Sequence, residues 1–286
     1  KEPFEKHPDM ILSLDDIAIF VANWDNKADN IRYIQSVLNI GFDSMVFLDD
    51  NPVERSMVKT HIPEILVPEL PEDPALYLEY LLALNLFETA SFSEEDGHRT
   101  KQYQEEAGRV IAQKSFTNED DFLAELNMVS EIKHFNKFNT PRVAQLSQRS
   151  NQFNLRTIRY SEEDVERLVS SNNHMTLSFT LTDKFGDNGL IAVIILEKQN
   201  KTIFIDTWLM SCRVLKRGME NFTLNTIVKF AKENGFAKIT GDYIPSAKNC
   251  MVKDHYEKLG FINEDGFWHL DVNGYVNKKC FIKAEY

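Results

Sequence analysis

The chain has 286 residues, of which 43% are hydrophobic and 27% charged, and its formal net charge is −12. This length and apolar content can bury two ordinary cores, so we expect about two domains. The acidic residues are spread along the chain, which argues against nucleic-acid binding because affinity for a phosphate backbone depends on clustered cations. The apolar run 76–87 is too short and too interrupted to span a membrane, so no membrane partner is expected.

The first third of the chain contains two apolar segments that predict buried strands. They cover residues 17–22 and 44–48, and a helix is predicted between them at 28–38. Strands that alternate with helices indicate a parallel sheet, whose ligands lie beyond the carboxyl ends of its strands. Lys27 and the pair of acids after residue 48 fall at such ends.

Asp49 and Asp50 are the candidate metal ligands of this region. Two adjacent carboxylates at a strand end suit a hard cation such as Mg²⁺. They resemble the metal-binding motif of HAD phosphatases, and the resemblance makes Lys27 the phosphate-orienting lysine. The alternative is a plain turn, because Asp-Asp-Asn-Pro is also strong turn chemistry.

The nucleophile of that family is missing from the sequence. HAD enzymes attack phosphate with the first Asp of an Asp-x-Asp motif, and no such motif occurs here. The first nine residues also resemble the middle of a helix and loop rather than an opening strand. We therefore expect this chain to be the C-terminal part of a longer protein, without phosphatase turnover of its own.

A helical connector is predicted after the first domain. It contains a polar acidic stretch at 91–96, a charged helix at 98–113 and a second helix that begins at Asn118. We interpret it as a solvated spacer. The predicted division is 1–88 for the C-terminal part of a HAD-like domain, 89–127 for the connector and 128–286 for a second domain.

The second domain shows an alternation of strand and helix patterns. The triplet Asp187-Asn188-Gly189 and the pair Asn200-Lys201 predict the turns of two hairpins. The predicted order is a strand at 128–135, helices at 141–150 and 162–170, strands at 174–182, 190–197 and 202–209, a helix at 218–234, a strand at 237–243, a helix at 247–259, and strands at 267–270 and 279–284.

The long helix of this domain begins at Gly218 and is preceded by Lys216 and Arg217. Unpaired backbone N–H groups, the positive end of the helix dipole and two cations would converge there, which predicts an anion site. The alternative is an ordinary core helix with a solvated basic start, since a single Gly is a weak signal beside a full phosphate-loop motif.

Residues 213–220 and 249–261 together resemble the acyl-CoA-handling signature of GNAT acyltransferases. The resemblance implies that a pyrophosphate binds at the start of the Gly218 helix. It also implies that Asn249 and, seven residues later, Tyr256 lie near the thioester. Tyr256 would then act as a general acid toward a leaving thiolate, with core packing of its ring as the alternative.

The same resemblance supplies a set of cofactor contacts. Residues 210–212 are expected to splay from the neighbouring strand and leave room for a pantetheine arm. Leu215 and Glu220 depart from the family pattern, and a carboxylate at Glu220 would repel phosphate. The implied contacts to CoA or phosphopantetheine are Met210, Lys216, Arg217, Gly218, Met219 and Asn249.

The three cysteines are Cys212, Cys250 and Cys280. They have neither a CxxC spacing nor a nearby His pair, so we expect no zinc site, no disulfide framework and a reducing cytoplasm. Cys212 precedes the long helix among several basic residues, and such surroundings favour a thiolate. It is therefore a candidate catalytic nucleophile, with an inert cysteine as the alternative.

A HAD half joined to a GNAT half resembles the FkbH-like proteins of HAD subfamily IIIC. The fold expected is α/β, with a partial HAD-like Rossmannoid parallel sheet followed by an α+β GNAT-like acyltransferase domain. The implied activity removes phosphate from a phosphorylated three-carbon glyceryl donor and delivers the acyl unit to an acyl carrier protein thiol, as for methoxymalonyl-type polyketide extender units. The matching stretches are 23–30, 47–52, 148–157, 183–189 and 206–218.

Two other functional classes stay open at this point. One is an acetyl-CoA-dependent N-acetyltransferase with a vestigial HAD piece, and the other is a non-catalytic docking module for a carrier protein. A basic run near the proposed acyl site would receive a phosphopantetheine arm or the acidic face of a carrier protein, or is a plain scatter of surface charge. The run comprises Arg142, Arg149, Arg156 and Arg159.

Overall fold

The computed structural model of the protein describes residues 1–88 and 97–285. The chain divides into two compact units between Thr117 and Asn118. The predicted fold class, an α/β protein of two domains, is confirmed, while the three-part division stays a prediction. The polar stretch 91–96 lies outside the described residues. Within them, no helix is both long and apolar enough to cross a membrane.

The first unit is mainly helical. Its helices start with ordinary caps: the side-chain oxygen of Asn26 accepts the Ala28 N–H, and that of Asn51 accepts the Val53 N–H, with Pro52 as the first helical residue. The helices are α1 (Glu2–Lys6), α2 (Lys27–Leu38), α3 (Pro52–His61), α4 (Tyr77–Ala83) and α5 (Arg99–Gln113).

The two strands predicted for the first unit are reduced to one parallel bridge. Val46 pairs with Leu66, through hydrogen bonds from Phe47 N to Leu66 O and from Leu66 N to Met45 O. Residues 17–22 are not a strand, since the described residues offer them no ladder partner. Beneath the bridge, α2 and α3 pack a small core of Ala28, Ile31, Val58, Ile62, Ile65 and Val67.

The second unit is built on one twisted sheet. The strand order is β6-β7-β5-β4-β3-β2-β1-β8, in which the β4–β5 and β1–β8 pairs are parallel and the others antiparallel. The strands are β1 (Val129–Lys133), β2 (His174–Asp183), β3 (Gly186–Gln199), β4 (Thr202–Met210), β5 (Lys238–Gly241), β6 (Ile262–Glu264), β7 (Phe267–Asp271) and β8 (Lys283–Glu285).

The helices of the second unit cover the sheet. Apolar side chains of two of them, including Val143 and Val165, pack against Val193, Ile195 and Leu209 of the sheet in a fully buried cluster. The helices are α6 (Glu119–Glu125), α7 (Thr140–Arg149), α8 (Glu162–Val169), α9 (Met219–Glu233) and α10 (His255–Lys258).

The predicted order of elements is present, with β6 as an added strand and the last strand shortened from 279–284 to Lys283–Glu285. Two other predictions differ locally. The first hairpin turns at Lys184 and Phe185, because the Asp183 carboxylate accepts the N–H groups of Phe185 and Gly186. The triplet 187–189 lies inside β3, where the register with β2 shifts and Gly189 adopts a φ of 65°. The pair Asn200-Lys201 does form the β3–β4 turn.

The second difference is the helix predicted at 247–259. The chain makes a 3-10 turn at Cys250–Val252 and only then the short α10. The side chain of Asn249 points into the protein, where it forms hydrogen bonds with backbone groups of Asn154, Ile244 and Ser246. A continuous helix through this point would carry that side chain away from its partners.

Candidate functional site

In the first unit, the structure brings Lys27 and Asp49 together. Lys27 is the first residue of α2, and Asp49 follows the segment that bridges to Leu66. The Lys27 ammonium lies 3.5 Å from Asp49 Oδ2, while Asp49 Oδ1 accepts the Asn51 N–H at 2.9 Å. The loop thus holds one carboxylate against a lysine and leaves the neighbouring Asp50 exposed.

Arg55 holds this loop from beneath. Its guanidinium is buried and donates from Nη1 to the carbonyl oxygens of Asp49 and Asp50, at 2.8 and 2.9 Å. Its other nitrogens contact Glu69, which also accepts from Lys59. The sequence analysis missed Arg55, although an arginine in line with Val58 and Ile62 on the apolar face of α3 could have indicated it.

The donor chemistry of this loop fits part of a magnesium site. Asp49 and Asp50 supply carboxylate oxygens, which are the ligands that Mg²⁺ prefers. No group of three or more His, Cys, Asp or Glu side chains that could hold a metal occurs within residues 1–88 and 97–285. The two aspartates therefore fit the ion as contributors rather than as a complete site.

In the second unit, β4 and β5 diverge after a short parallel ladder. Their last pair is Ile205 with Gly241. Beyond it, residues 153–155 lie between the two strands: Leu155 N donates to Trp208 O at 3.1 Å, Met210 N to Phe153 O at 3.0 Å, and Ile244 N to Leu155 O at 2.9 Å. Residues 153–155 therefore pair with β4 from Trp208 to Met210 and occupy room that was expected beside residues 210–212.

Cys212 and Gly218 bracket the turn that follows β4. Cys212 is exposed and begins a 3-10 turn, Cys212–Val214, whose cap is Ser211. Gly218 caps α9 with a φ of 79°, a left-handed conformation in which a side chain would be strained. Lys216 is exposed beside it, so one of the two predicted cations stands at the helix start.

Arg217 is placed differently from the expectation. It is 5% exposed, and its Nη1 lies 3.4 Å from Asp183 Oδ2 and 3.3 Å from Asn188 Oδ1. Its Nη2 donates to Arg213 O at 2.9 Å. The guanidinium thus balances a fully buried carboxylate inside the domain instead of presenting its charge to an anion.

The remaining residues at this turn are also turned inward. Met210 and Met219 are buried, so only their backbone could face a ligand. Burial raises the pKa of the Glu220 carboxyl. This favours its neutral form and weakens the phosphate repulsion that the sequence predicts.

Asn249 has its side chain fully engaged within the protein. Its Nδ2 donates to Asn154 O at 2.9 Å and to Ile244 O at 3.0 Å, and its Oδ1 accepts the Ser246 N–H at 2.7 Å and the Tyr243 hydroxyl at 3.1 Å. The hydrogen-bonding groups of this amide thus join residues 153–155 to the loop after β5, and its contact with a thioester stays a prediction.

Tyr256 is buried beneath β5. It is 1% exposed, and its hydroxyl has no hydrogen-bond partner among the described residues. Burial raises the pKa of Tyr256, and Asp242 adds to the rise. A proton donor with this environment keeps its proton firmly, and the ring is packed against Phe261, Trp268 and His255 rather than beside an open cleft.

A charged cluster that the sequence analysis missed lies where β4 and β5 part. Arg156 Nη1 is 2.5 Å from Asp206 Oδ1, and its Nε is 2.8 Å from Asp242 Oδ1, an ion pair without good hydrogen-bond alignment. The Tyr160 hydroxyl donates to Asp206 Oδ2 at 2.7 Å. Burial raises the pKa of Asp242. Asp206 interrupts the apolar run of β4 and Asp242 directly follows β5, and these two acids at strand positions are the signal that could have found it.

The predicted basic run is thereby changed. Arg156 is neutralised by the two aspartates, and Arg159 donates to the carbonyl oxygens of Ser147 and Ser150 and to Asn151. Arg142 pairs with Gln145. Arg159 thus fixes the turn between α7 and α8, and Arg149 is the exposed member of the run.

Comparisons with known proteins give partial structural similarities. No protein-family model matches the chain, and a search of curated proteins finds no match. The N-terminal part of protein BF1531 from Bacteroides fragilis, described as containing a phosphatase domain complexed with Mg, is 76% identical over 32% of this chain, with a TM-score of 0.31. The match covers 24% of that chain, so our chain spans about a quarter of it.

Two acetyltransferase structures are each similar to half of the chain. The ribosomal-protein-S18-alanine N-acetyltransferase from Escherichia coli is 16% identical over 50% of this chain and 94% of its own, with a TM-score of 0.39. Spermidine N-acetyltransferase from Vibrio cholerae, in complex with CoA and spermine, is 13% identical over 50% of this chain and 96% of its own, with a TM-score of 0.39.

Proposed function

We propose that the second unit transfers an acyl group through Cys212 to the phosphopantetheine thiol of an acyl carrier protein. The acyl unit is the glyceryl-type group of a phosphorylated three-carbon donor, as in FkbH-like proteins. The observation that carries the proposal is the position of Cys212: an exposed thiol in the turn between β4 and the Gly218-capped start of α9. A nucleophile there is accessible to a macromolecular partner.

The transfer consists of two balanced exchanges. The Cys212 thiolate attacks the acyl carbonyl, so that a C–S bond forms while the bond to the donor's leaving group breaks and that group departs with its electron pair. The carrier thiol then loses its proton and attacks the Cys212 thioester. A new C–S bond forms, and Cys212 leaves as a thiolate that takes up a proton. Since one thioester replaces another, the second step is nearly balanced in free energy.

The loop in the first unit would handle the phosphate of the donor. Lys27 carries a positive charge at the start of α2, where it can orient a phosphate, and Asp49 and Asp50 would contribute ligands to Mg²⁺. The ion, when bound, would neutralise phosphate charge. The Bacteroides fragilis protein is described with Mg, and we propose the same ion here, together with a HAD-type dephosphorylation whose nucleophile this sequence lacks.

The proposal also fits a reducing cytoplasm, because Cys212, Cys250 and Cys280 are all free thiols. Proteins from oxidising compartments usually pair such residues. Acylation of a single surface cysteine requires that it stay reduced.

A second candidate is amine acetylation, and one observation favours it. The cluster of Arg156, Asp206 and Asp242 carries one more acid than base and lies where two strands part. A net negative, half-buried site of this kind would attract a protonated amine. The occupied space between β4 and β5 argues against it, because an acetyl-CoA arm would have to share that space with residues 153–155.

Peptide mapping by mass spectrometry tests the leading proposal. The chain is incubated with a small glyceryl thioester and digested, and we expect the acyl increment on the Cys212 peptide. Cys250→Ser is the matched control, since Cys250 is also an exposed thiol, and it should still be labelled at Cys212. Cys212→Ser should abolish both labelling and onward transfer to a phosphopantetheinylated carrier protein. Full transfer by Cys212→Ser would rule out transfer through Cys212.

A further inference from the structure

The end of β4 has no open edge. On one side it pairs with β3, where Leu209 and Met210 face Val193 and Ala192. On the other side, residues 153–155 take up Trp208 O and Met210 N in an antiparallel bridge. The backbone groups with which an extended ligand could pair are therefore already satisfied by the chain itself.

Residues 153–155 are as buried as a core strand. Asn154 and Leu155 are 0% exposed, and the Phe153 ring packs edge-on against His255 at 5.0 Å. Asn154 O accepts a hydrogen bond from the Asn249 side chain, and the Asn154 side chain accepts the Thr157 N–H. Thr157 has a φ of 58°, and the chain turns there. The segment is thus built into the sheet at both of its ends.

Arg156 fastens the segment to both flanking strands. Its guanidinium reaches Asp206 directly after the last β4–β5 pair and Asp242 on the opposite side, and it also lies 5.1 Å from the Phe204 ring centroid. A single side chain therefore spans the divergence of the two strands. Removing it would leave two half-buried aspartates facing each other beside the segment.

In the GNAT resemblance, the pantetheine arm of a CoA anchored by phosphate at Gly218 would lie beside residues 210–212, at the end of β4. We infer that residues 153–155, fixed by Arg156, close the space between the ends of β4 and β5 to the pantetheine arm of CoA. The domain then rejects CoA, and the carrier protein's phosphopantetheine thiol meets the acyl group at the exposed Cys212 turn. This rests on the proposed function, because it names the surface at which that transfer occurs. Arg156 is then a positioning residue that sets the choice of thioester.

Amide hydrogen exchange with CoA as the probe tests the closure. In the wild-type chain, the amides of Leu155 and Met210 should exchange as slowly as that of Ile194 in the centre of β3. CoA at millimolar concentration should change neither rate and should give no saturable heat in titration calorimetry. Saturable CoA binding, accompanied by faster exchange at Leu155, would overturn the inference.

Arg156→Ala tests the residue assigned to the closure. It should accelerate exchange at Leu155 by about tenfold or more while Ile194 stays protected, because local opening no longer breaks an ion pair. CoA should then alter exchange at Met210, a response that loss of stability alone would not produce. Arg167→Ala is the matched control, since Arg167 forms a local ion pair with its side chain 69% exposed, and it should leave all three amides unchanged.

Asp242→Asn provides a second variant that keeps the fold if Arg156→Ala does not. It removes one of the two anchors, and it should accelerate Leu155 exchange in the same direction. Unchanged Leu155 exchange in both variants would show that Arg156 does not hold residues 153–155 in place. Failure of the proposed function would be seen separately, as absence of the acyl increment on Cys212, a readout that does not depend on CoA.

Discussion

The Tyr256 ring packs so closely against Gly241 that it leaves no room for a side chain at position 241. A Cβ atom at Gly241 would lie 2.3 Å from the Tyr256 hydroxyl oxygen and 2.6 Å from Cζ. The glycine is the last residue of β5, so the tyrosine ring lies directly beneath the point where β4 and β5 part. The glycine at this position allows an aromatic residue to support the divergence.

Gly241→Ala should therefore destabilise the second unit by about 1–3 kcal/mol, the usual effect of overpacking a core. Gly274→Ala is the control, because its added Cβ would meet only the end of the exposed Asp271 side chain, at 3.0 Å. Urea unfolding followed by circular dichroism measures both. Combining Gly241→Ala with Tyr256→Phe should recover part of the loss, since the nearest clashing atom is the hydroxyl. Equal stability of the two alanine variants would contradict the packing described.

Arg55→Ala should destabilise the first unit by about 3 kcal/mol, because two carbonyl groups and Glu69 lose a buried guanidinium. Lys59→Ala is a matched control: it also contacts Glu69, but its side chain is 44% exposed, and it should cost less than about 1 kcal/mol. Urea unfolding of the first unit distinguishes the two. Similar losses in both variants would mean that the loop does not depend on Arg55.

Arg217→Met should destabilise the second unit by about 3 kcal/mol in the absence of any ligand, since the Asp183 carboxylate loses its buried cation. Lys216→Met, one residue earlier and exposed, should change the free energy of unfolding by less than about 0.5 kcal/mol. Thermal and urea unfolding without ligand provide the comparison. A decrease of less than about 1 kcal/mol in the free energy of unfolding of Arg217→Met would instead favour an anion-binding role for this arginine.

His255 should make the stability of the second unit depend on pH. Burial lowers its pKa to about 3 from 6.5, and the charge of Lys258 contributes less. Between these values the unfolded chain binds a proton that the folded chain does not. The neutral, buried His255 therefore contributes stability above pH 6.5. That contribution to the free energy of unfolding decreases by about 1.4 kcal/mol per pH unit as the pH falls from 6.5 toward 3.

His255→Phe should remove that slope, because phenylalanine cannot take up a proton and fits among the surrounding aromatic rings. Lys258→Gln should retain most of it, since burial is the larger cause. Urea unfolding at a series of pH values gives the slopes. A wild-type slope that persists unchanged in His255→Phe would show that another group is responsible.

Local patterns predicted much of the second unit. The apolar spacing of α9, with Gly218 before it and Asn234 after it, is a signal contained within one helix, and the structure has this helix at Met219–Glu233. The long runs of β2, β3 and β4 were equally plain, because each contains a stretch of consecutive buried residues. Periodicity of this kind depends only on neighbours along the chain.

The candidate site could be predicted less well, because its contacts join distant parts of the sequence. Arg156 pairs with acids 50 and 86 residues later, and no local pattern marks that pairing. Residues 153–155 are too few to show an alternation, yet they complete the sheet between two strands. In the same way, Arg217 follows Lys216 in a basic motif, and only the tertiary fold turns one inward and the other outward.

The two outer strands of the sheet are each three residues long: β6 at one edge and β8 at the other. β8 begins with Lys283 and ends with Glu285, and it covers the backbone of β1, which would otherwise be an open edge. A three-residue strand with charged ends is a poor template for a strand of another molecule. This edge of the sheet is thereby protected against edge-to-edge aggregation at high concentration, and loss of residues 283–285 would expose β1 to it.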